Sequence, residues 1–266
     1  MARLVRLHVP GMPQHVILPV RTGLGAFRAD DDVRFFMETL RGAARAHGFA
    51  IHAYALTPAI VHLLGTPHDA DSVSRTVQAV GRRYVAWFNR RHGMEGALWD
   101  GRYRATVIDP DAFLLSTSVL IEAAAEPGLP QVAAHRDLET AHAVDVPPSG
   151  MPGPLSAFAA LPPDARIGPR RSSYPHHAGL AIDPAITDHA LYWALGNTPF
   201  ERHRKYRALA EQPLDPATCA AALNAAHKGW LRGDNAFMQR CERQANRRLT
   251  PLKRGRPKKV NDDIAK

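Results

Sequence analysis

The stretch Ile51 to Gly65 constrains the fold most: Ile-His-Ala-Tyr-Ala-Leu-Thr-Pro-Ala-Ile-Val-His-Leu-Leu-Gly. Two apolar runs flank a break at Thr57-Pro58. Proline has no amide proton for a sheet ladder, and it steers the preceding residue away from helix. The spacing therefore predicts two strands, Ile51 to Leu56 and Ile60 to Gly65, folded into a hairpin. Ile60 and His62 alternate with Val61, so both point to one face of the sheet.

The flanking segments supply partners for that hairpin. Leu4, Val5, Leu7 and Val9 alternate with Arg3, Arg6 and His8 as a basic arm or short strand, and His15 to Val20 reads as the first core strand. Asp30, Asp31 and Asp32 precede Val33, Phe35, Phe36, Leu40 and Ala44. Acidic residues favour the positive end of a helix, and the 3–4 apolar spacing marks its buried stripe. The helix should end near His47, stopped by Gly48. Ser72 is placed to cap a second helix with the stripe Val73, Val77, Val80, Tyr84 and Phe88. Tyr103 to Ile108 reads as a fourth strand. Asp109-Pro110-Asp111 then opens a third helix carrying Phe113, Leu114, Thr117, Leu120, Ile121 and Ala124.

The order strand, helix, strand, strand, helix, strand, helix predicts an α+β fold: a ferredoxin-like four-stranded antiparallel sheet with helices on one face. This domain should span 1–130. A Pro/Ala/Gly-rich stretch at 131–165, including Pro147 to Pro154, reads as a mobile linker or insertion. A helical C-terminal region follows at 166–250, with helices expected from Thr187, from Thr198-Pro199, over Pro213 to Lys228 and over Gly233 to Leu249. A basic tail closes the chain at 251–266.

Charge points to the partner. The formal net charge is +9 and the sequence pI is about 10.0. A polyanion is the natural ligand, and nucleic acid is the commonest one. The positive charge is clustered. Arg82-Arg83 and Arg90-Arg91, then Arg102 and Arg104, have few acidic neighbours, which predicts a phosphate-contacting surface. Tyr84, Trp87 and Phe88 lie among them; core packing accounts for Tyr84 and Phe88 better than base stacking does. In the tail, Lys253, Arg254, Arg256, Lys258 and Lys259 surround an Arg-Gly-Arg-Pro core similar to an AT-hook, which lays arginines in a narrow A·T minor groove. A generic basic tail would also bind nucleic acid, by charge alone. Cys219 and Cys241 fit neither metal-ligand spacing nor a disulfide framework. A reducing cytoplasm, at the nucleoid, is expected, with no membrane partner. A homodimer is compatible with the sequence.

Several words occur in order along the chain. They are Ile60-Val61-His62, Gly81-Arg82-Arg83-Tyr84-Val85, Phe88-Asn89-Arg90-Arg91, Leu98-Trp99-Asp100-Gly101-Arg102-Tyr103-Arg104-Ala105, Asp111-Ala112-Phe113-Leu114-Leu115, Arg171-Ser172-Ser173-Tyr174 and His189-Ala190-Leu191-Tyr192-Trp193-Ala194-Leu195-Gly196. Together they resemble the REP-associated tyrosine transposases, a branch of the single-tyrosine HUH transposases, over most of the chain. The resemblance implies the same fold and a DNA partner, hairpin or single-stranded. It also implies a chemistry. In the family a His-hydrophobic-His strand holds magnesium or manganese at the scissile phosphate, and a tyrosine on the helix after the fourth strand forms the covalent intermediate. An asparagine one turn later supports the metal.

This chain departs from that pattern at three positions. Ile60 stands at the first metal-ligand position, Leu120 at the tyrosine and Ala124-Ala125 at the Asn-Pro pair. Only His62 remains of the metal set, and a single imidazole on a sheet face is more often a packed or partner-bonded histidine. Tyr84 and Tyr103 match positions that are tyrosine in the family beside the nucleophile, so neither replaces it. No cofactor is expected, and Mg or Mn only if cleavage is retained. The leading expectation is a DNA-binding protein that keeps the family's surface and has lost strand cleavage. Its rivals are an active transposase with a rearranged site and a non-enzymatic regulator that binds through its tail.

Overall fold

The structure, a computed structural model, describes Leu7, Val9, residues 11–130 and residues 171–245. The Pro-rich span 131–165 and the basic tail 251–266 lie outside these residues.

The hairpin forms as its sequence predicts, from β2 (Phe49–Leu56) and β3 (Ile60–Pro67). Thr57 closes its turn three times over. Its hydroxyl accepts from the Ile60 amide and donates to the Ile60 carbonyl, and its own amide reaches that same carbonyl, each at 3.0 Å. The register shifts between Ile51 and Ala53, which makes His52 the extra residue of a bulge. The His52 ring bonds outward at both nitrogens. Thr187 O lies 2.7 Å from Nδ1 and Thr66 Oγ1 lies 2.8 Å from Nε2. A carbonyl can only accept, so Nδ1 carries the proton and Nε2 accepts from the hydroxyl.

β1 (Gln14–Pro19) pairs antiparallel with β3 and with β4 (Arg104–Val107), giving the order β2-β3-β1-β4. This is the four-stranded antiparallel, ferredoxin-like sheet expected. α1 (Asp30–Ala46) and α2 (Ser72–His92) pack on one face. Their shared core includes Leu18, Phe36, Leu40, Leu63, Val80 and Tyr84. The Asp32 carboxylate starts α1 by accepting from the amides of Arg28 and Ala29 at 2.7 and 2.8 Å. Gly48, at φ +66°, follows its end. Ser72 is the first residue of α2 and does not cap it. Asp71 stands at the cap position, and the Ser72 hydroxyl accepts from the Asp69 amide instead.

The other face is closed by the second half of the chain. α3 (Pro110–Ala123) lays Leu114 and Ile121 on Ala53, Ala55 and Leu64. Beyond it come α4 (Tyr174–His177), α5 (Ala190–Trp193), α6 (Pro199–Ala210), α7 (Pro216–Lys228) and α8 (Asn235–Ala245). α7 places Ala226 against Ile17 and Ile60. Thr198 caps α6, as its sequence predicts, by accepting from the Glu201 amide. Thr187 does not cap α5; His189 does, through its ring. Thr187 instead gives its amide to Ile51 O on the outer edge of β2. Arg171 O accepts from Leu56 farther along the same edge, and the Ser173 amide donates to Tyr54 O. The edge strand is thereby covered, which removes a template for unwanted pairing. No helix among the described residues is long and apolar enough to cross a membrane.

Candidate nucleic-acid interface

The position that the sequence assigns to chemistry lies inside the molecule. β-Strand alternation puts Ile60 and His62 on the face away from α1 and α2, as expected. His62 is 1% exposed, and its Nδ1 lies 3.1 Å from Nε2 of His15 on the neighbouring β1. One ring nitrogen of that pair must donate and the other accept. His62 is thus partner-bonded, and its neighbour Ile60 is packed under α7. Leu120 is 2% exposed and meets Cys219, Ala222 and Leu223 of α7. Ala124 follows the end of α3 and packs on the Ala53–Ala55 cluster beside Leu191. One helix, α7, therefore covers both the metal-ligand strand and the nucleophile position.

This environment does not fit a magnesium or manganese ion. Such an ion needs two or three ligand side chains on rigid elements. Here Ile60 supplies no donor, and His62 Nδ1 faces His15 Nε2 at 3.1 Å. Among the described residues no group of three or more His, Cys, Asp or Glu side chains could hold a metal.

Two residues beyond Leu120, Glu122 is fully buried on α3. It accepts from Ser173 Oγ at 2.6 Å, His177 Nδ1 at 2.7 Å and Tyr206 OH at 2.7 Å. Ser118, one turn earlier, bonds the same Tyr206 hydroxyl at 2.8 Å. A buried carboxylate is tolerable only with such partners. Burial, followed by the adjacent Glu122 charge, raises the Tyr206 phenol well above its usual range. The cluster ties α3 to α4 and α6, so Ser118 and the Arg171-Ser172-Ser173-Tyr174 word serve the fold. His15 and His177 are site neighbours that sequence reasoning missed. Neither lies in a spaced motif, and both acquire partners only through sheet register and tertiary packing.

The predicted basic residues separate into groups. Arg82, Arg83 and Arg90 are exposed on α2 and make no ion pair among the described residues. Arg82 reaches only Gln78, and Arg83 sits 5.6 Å from the Phe35 ring centroid. Arg82 and Arg83 line a cleft of about 480 Å³ with His47, Arg75 and Gln78. Arg91 is held by Asp31 at 2.9 Å and lies over Trp87. Arg102 is exposed in the loop before β4. Arg104 is half-buried, with its guanidinium against the His227 ring. Lys253, Arg254, Arg256, Lys258 and Lys259 lie outside the described residues. Tyr84 and Phe88 are fully buried, in the core role expected. Burial, with the Asp32 charge, pushes the Tyr84 phenol far above its ordinary range.

No protein-family model matches this chain, and no curated protein matches it. Among solved structures it is similar to a REP-associated tyrosine transposase bound to a REP hairpin, at 15% identity and a TM-score of 0.38, over 46% of this chain and 71% of that one. It is also similar to a transposase candidate from Deinococcus radiodurans, at 24% identity and a TM-score of 0.32, over 44% of this chain and 94% of that one. A tRNA-dependent lantibiotic dehydratase, MibB from Microbispora sp. 107891, is similar at 17% identity and a TM-score of 0.26, over 88% of this chain and 27% of that one.

Proposed function

We propose that this protein binds DNA through the basic surface of α2 and does not cleave it. The observation that carries the reading is the cleft between α1 and α2, where His47, Arg75, Arg82 and Arg83 converge and no carboxylate of the described residues lines the wall. Arg82 and Arg83, which make no ion pair among the described residues, keep their charge available for phosphate, whereas Arg75 is shared with Asp71. The ordered sequence words that resemble the REP-associated tyrosine transposases support the same ligand. Absence of cleavage is supported by the side chains at the family's reacting positions. Ile60 and Leu120 are apolar and buried, Ala124 has no polar group, and His62 is engaged with His15. The protein then works at the nucleoid as a non-enzymatic DNA binder.

A salt titration with a labelled hairpin oligonucleotide tests the binding. Each phosphate neutralised contributes a slope of about −0.9 in log affinity against log salt on duplex, and about −0.7 on single strand. Engagement of Arg82, Arg83 and Arg90 therefore predicts a slope steeper than about −2. Affinity that does not change between low and moderate salt would contradict the reading.

A further inference from the structure

A second hollow adjoins the Arg82–Arg83 cleft. It has a volume of about 1010 Å³ and opens at the C-terminal end of α1, between that helix and the start of β2. Arg41, Arg45 and His68 line it, along with Thr66 and Thr187, and no Asp or Glu of the described residues lies in its wall. Both hollows are lined from the end of α1: His47 lines the first, and Arg45 and Gly48 line the second.

We infer that α1 and α2 form a two-point clamp on the phosphodiester backbone of duplex DNA, such as a hairpin stem, with the Arg41–Arg45–His68 recess as its second contact. The inference rests on the DNA-binding reading above and adds the missing half of the surface. Arg41 and Arg45 are four residues apart, so they share one side of α1 about 6 Å apart along its axis. Both are exposed and make no ion pair among the described residues. The neighbouring carboxylates are otherwise engaged or lie outside the walls. Asp71 holds Arg75 at 3.4 Å, and Asp31 holds Arg34 and Arg91 at the far end of α1. Glu38 and Asp69 are close in sequence but line neither hollow. The last turn of α1 presents partial negative charge from its carbonyls, and Arg45 in that turn offsets it.

The aromatic side chains decide between duplex and single strand. Single-strand grooves use open ring faces on which bases stack. On this surface the rings are already taken. Trp87 stacks on Phe35 at 4.4 Å between centroids, Arg91 covers Trp87 at 5.3 Å and Arg83 covers Phe35 at 5.6 Å. Guanidinium groups with no stacking platform contact backbone and leave the bases unread. A stem whose bases are already paired and stacked meets that description. The Arg82–Arg83 cleft lies on the α1–α2 side of the sheet, opposite His62 and Leu120, so α7 covers one face while DNA contacts the other.

The test uses the full chain, a fluorescent hairpin oligonucleotide and a single strand of equal length. The double variants Arg41→Ala/Arg45→Ala and Arg82→Ala/Arg83→Ala are compared with Arg204→Ala/Lys205→Ala on α6, with thermal melting to confirm that each is folded. Each clamp variant should weaken hairpin binding roughly tenfold and flatten the salt slope by about 2. The α6 variant should leave both unchanged, and the single strand should bind less tightly than the hairpin. An Arg41→Ala/Arg45→Ala protein with the original affinity and slope overturns the clamp, and the DNA-binding reading survives if Arg82→Ala/Arg83→Ala still weakens binding. Tighter binding of the single strand overturns the duplex assignment. No binding of either oligonucleotide by the unaltered protein overturns both readings.

Discussion

Leu120 fills a space between α3 and α7 that Cys219, Ala222 and Leu223 also share. A tyrosine there would force a larger ring and a hydroxyl into apolar contacts. Overpacking of this kind costs about 1–3 kcal/mol, and an unpaired hydroxyl adds to it. Leu120→Tyr should therefore lower the melting temperature and give no covalent DNA adduct. A variant as stable as the parent would show that α7 does not press on this position. His52 offers a prediction in pH. Burial, with smaller contributions from His189 and His177, holds its pKa down at about 4, against the opposing bond to Thr187. Between about 4 and 6.5 the unfolded chain binds more protons than the folded one, so stability rises with pH there. The contribution is complete above about 6.5 and is lost as pH falls towards 4. At pH 5 the loss from this residue should be about 2 kcal/mol relative to pH 7. Urea midpoints at the two values should show it, and His52→Gln should flatten the difference. At this scale the sequence was legible at Tyr84 and Phe88, whose helical spacing marked them for the core where both are buried. The His15–His62 pair was not legible, since it depends on which strands neighbour one another.

Secondary structure follows local signals closely where those signals are strong. Thr57-Pro58 marks the hairpin, the Asp30–Asp32 run opens α1 and Thr198-Pro199 opens α6. Thr187 and Ser72 show where such signals fail. Both are good capping residues, yet Thr187 is drawn to the edge of β2, and Ser72 begins its helix one position too late to cap it. The placement of α7 over the second sheet face had no local signal, because its apolar side acquires meaning only against Ile17, Ile60 and Leu120. Gly65 has a role set by tertiary approach. A Cβ there would lie 2.5 Å from Ala50 O and 2.7 Å from the Phe49 ring. Backbone cannot yield as a flexible side chain can, so Gly65→Ala should strain the β2–β3 pairing and cost about 1–3 kcal/mol. Amide exchange along β2 and β3 should quicken in that variant. Unchanged exchange and melting would mean the strands separate there without penalty.

Across the whole molecule, the two sheet faces are packed by different helices. One face is packed by α1 and α2, whose outer surface bears exposed arginines and two hollows lined by Arg41, Arg45, Arg82 and Arg83. The other is filled by α3 and α7, which bury Leu120 and Ile60 among apolar side chains. The net charge of +9 told of a polyanionic partner, but only the fold shows that Arg82 and Arg83 share a cleft while Arg104 turns inward to His227. The account's central claim is binding without cleavage. Its most direct test is one reaction, analysed twice: the unaltered protein with an end-labelled hairpin oligonucleotide and Mn²⁺, run on native and on denaturing gels. The account predicts a retarded band on the native gel and, on the denaturing gel, full-length oligonucleotide with no nicked product and no protein-linked label. A denaturation-resistant adduct, with its attachment mapped to a tyrosine, would contradict it.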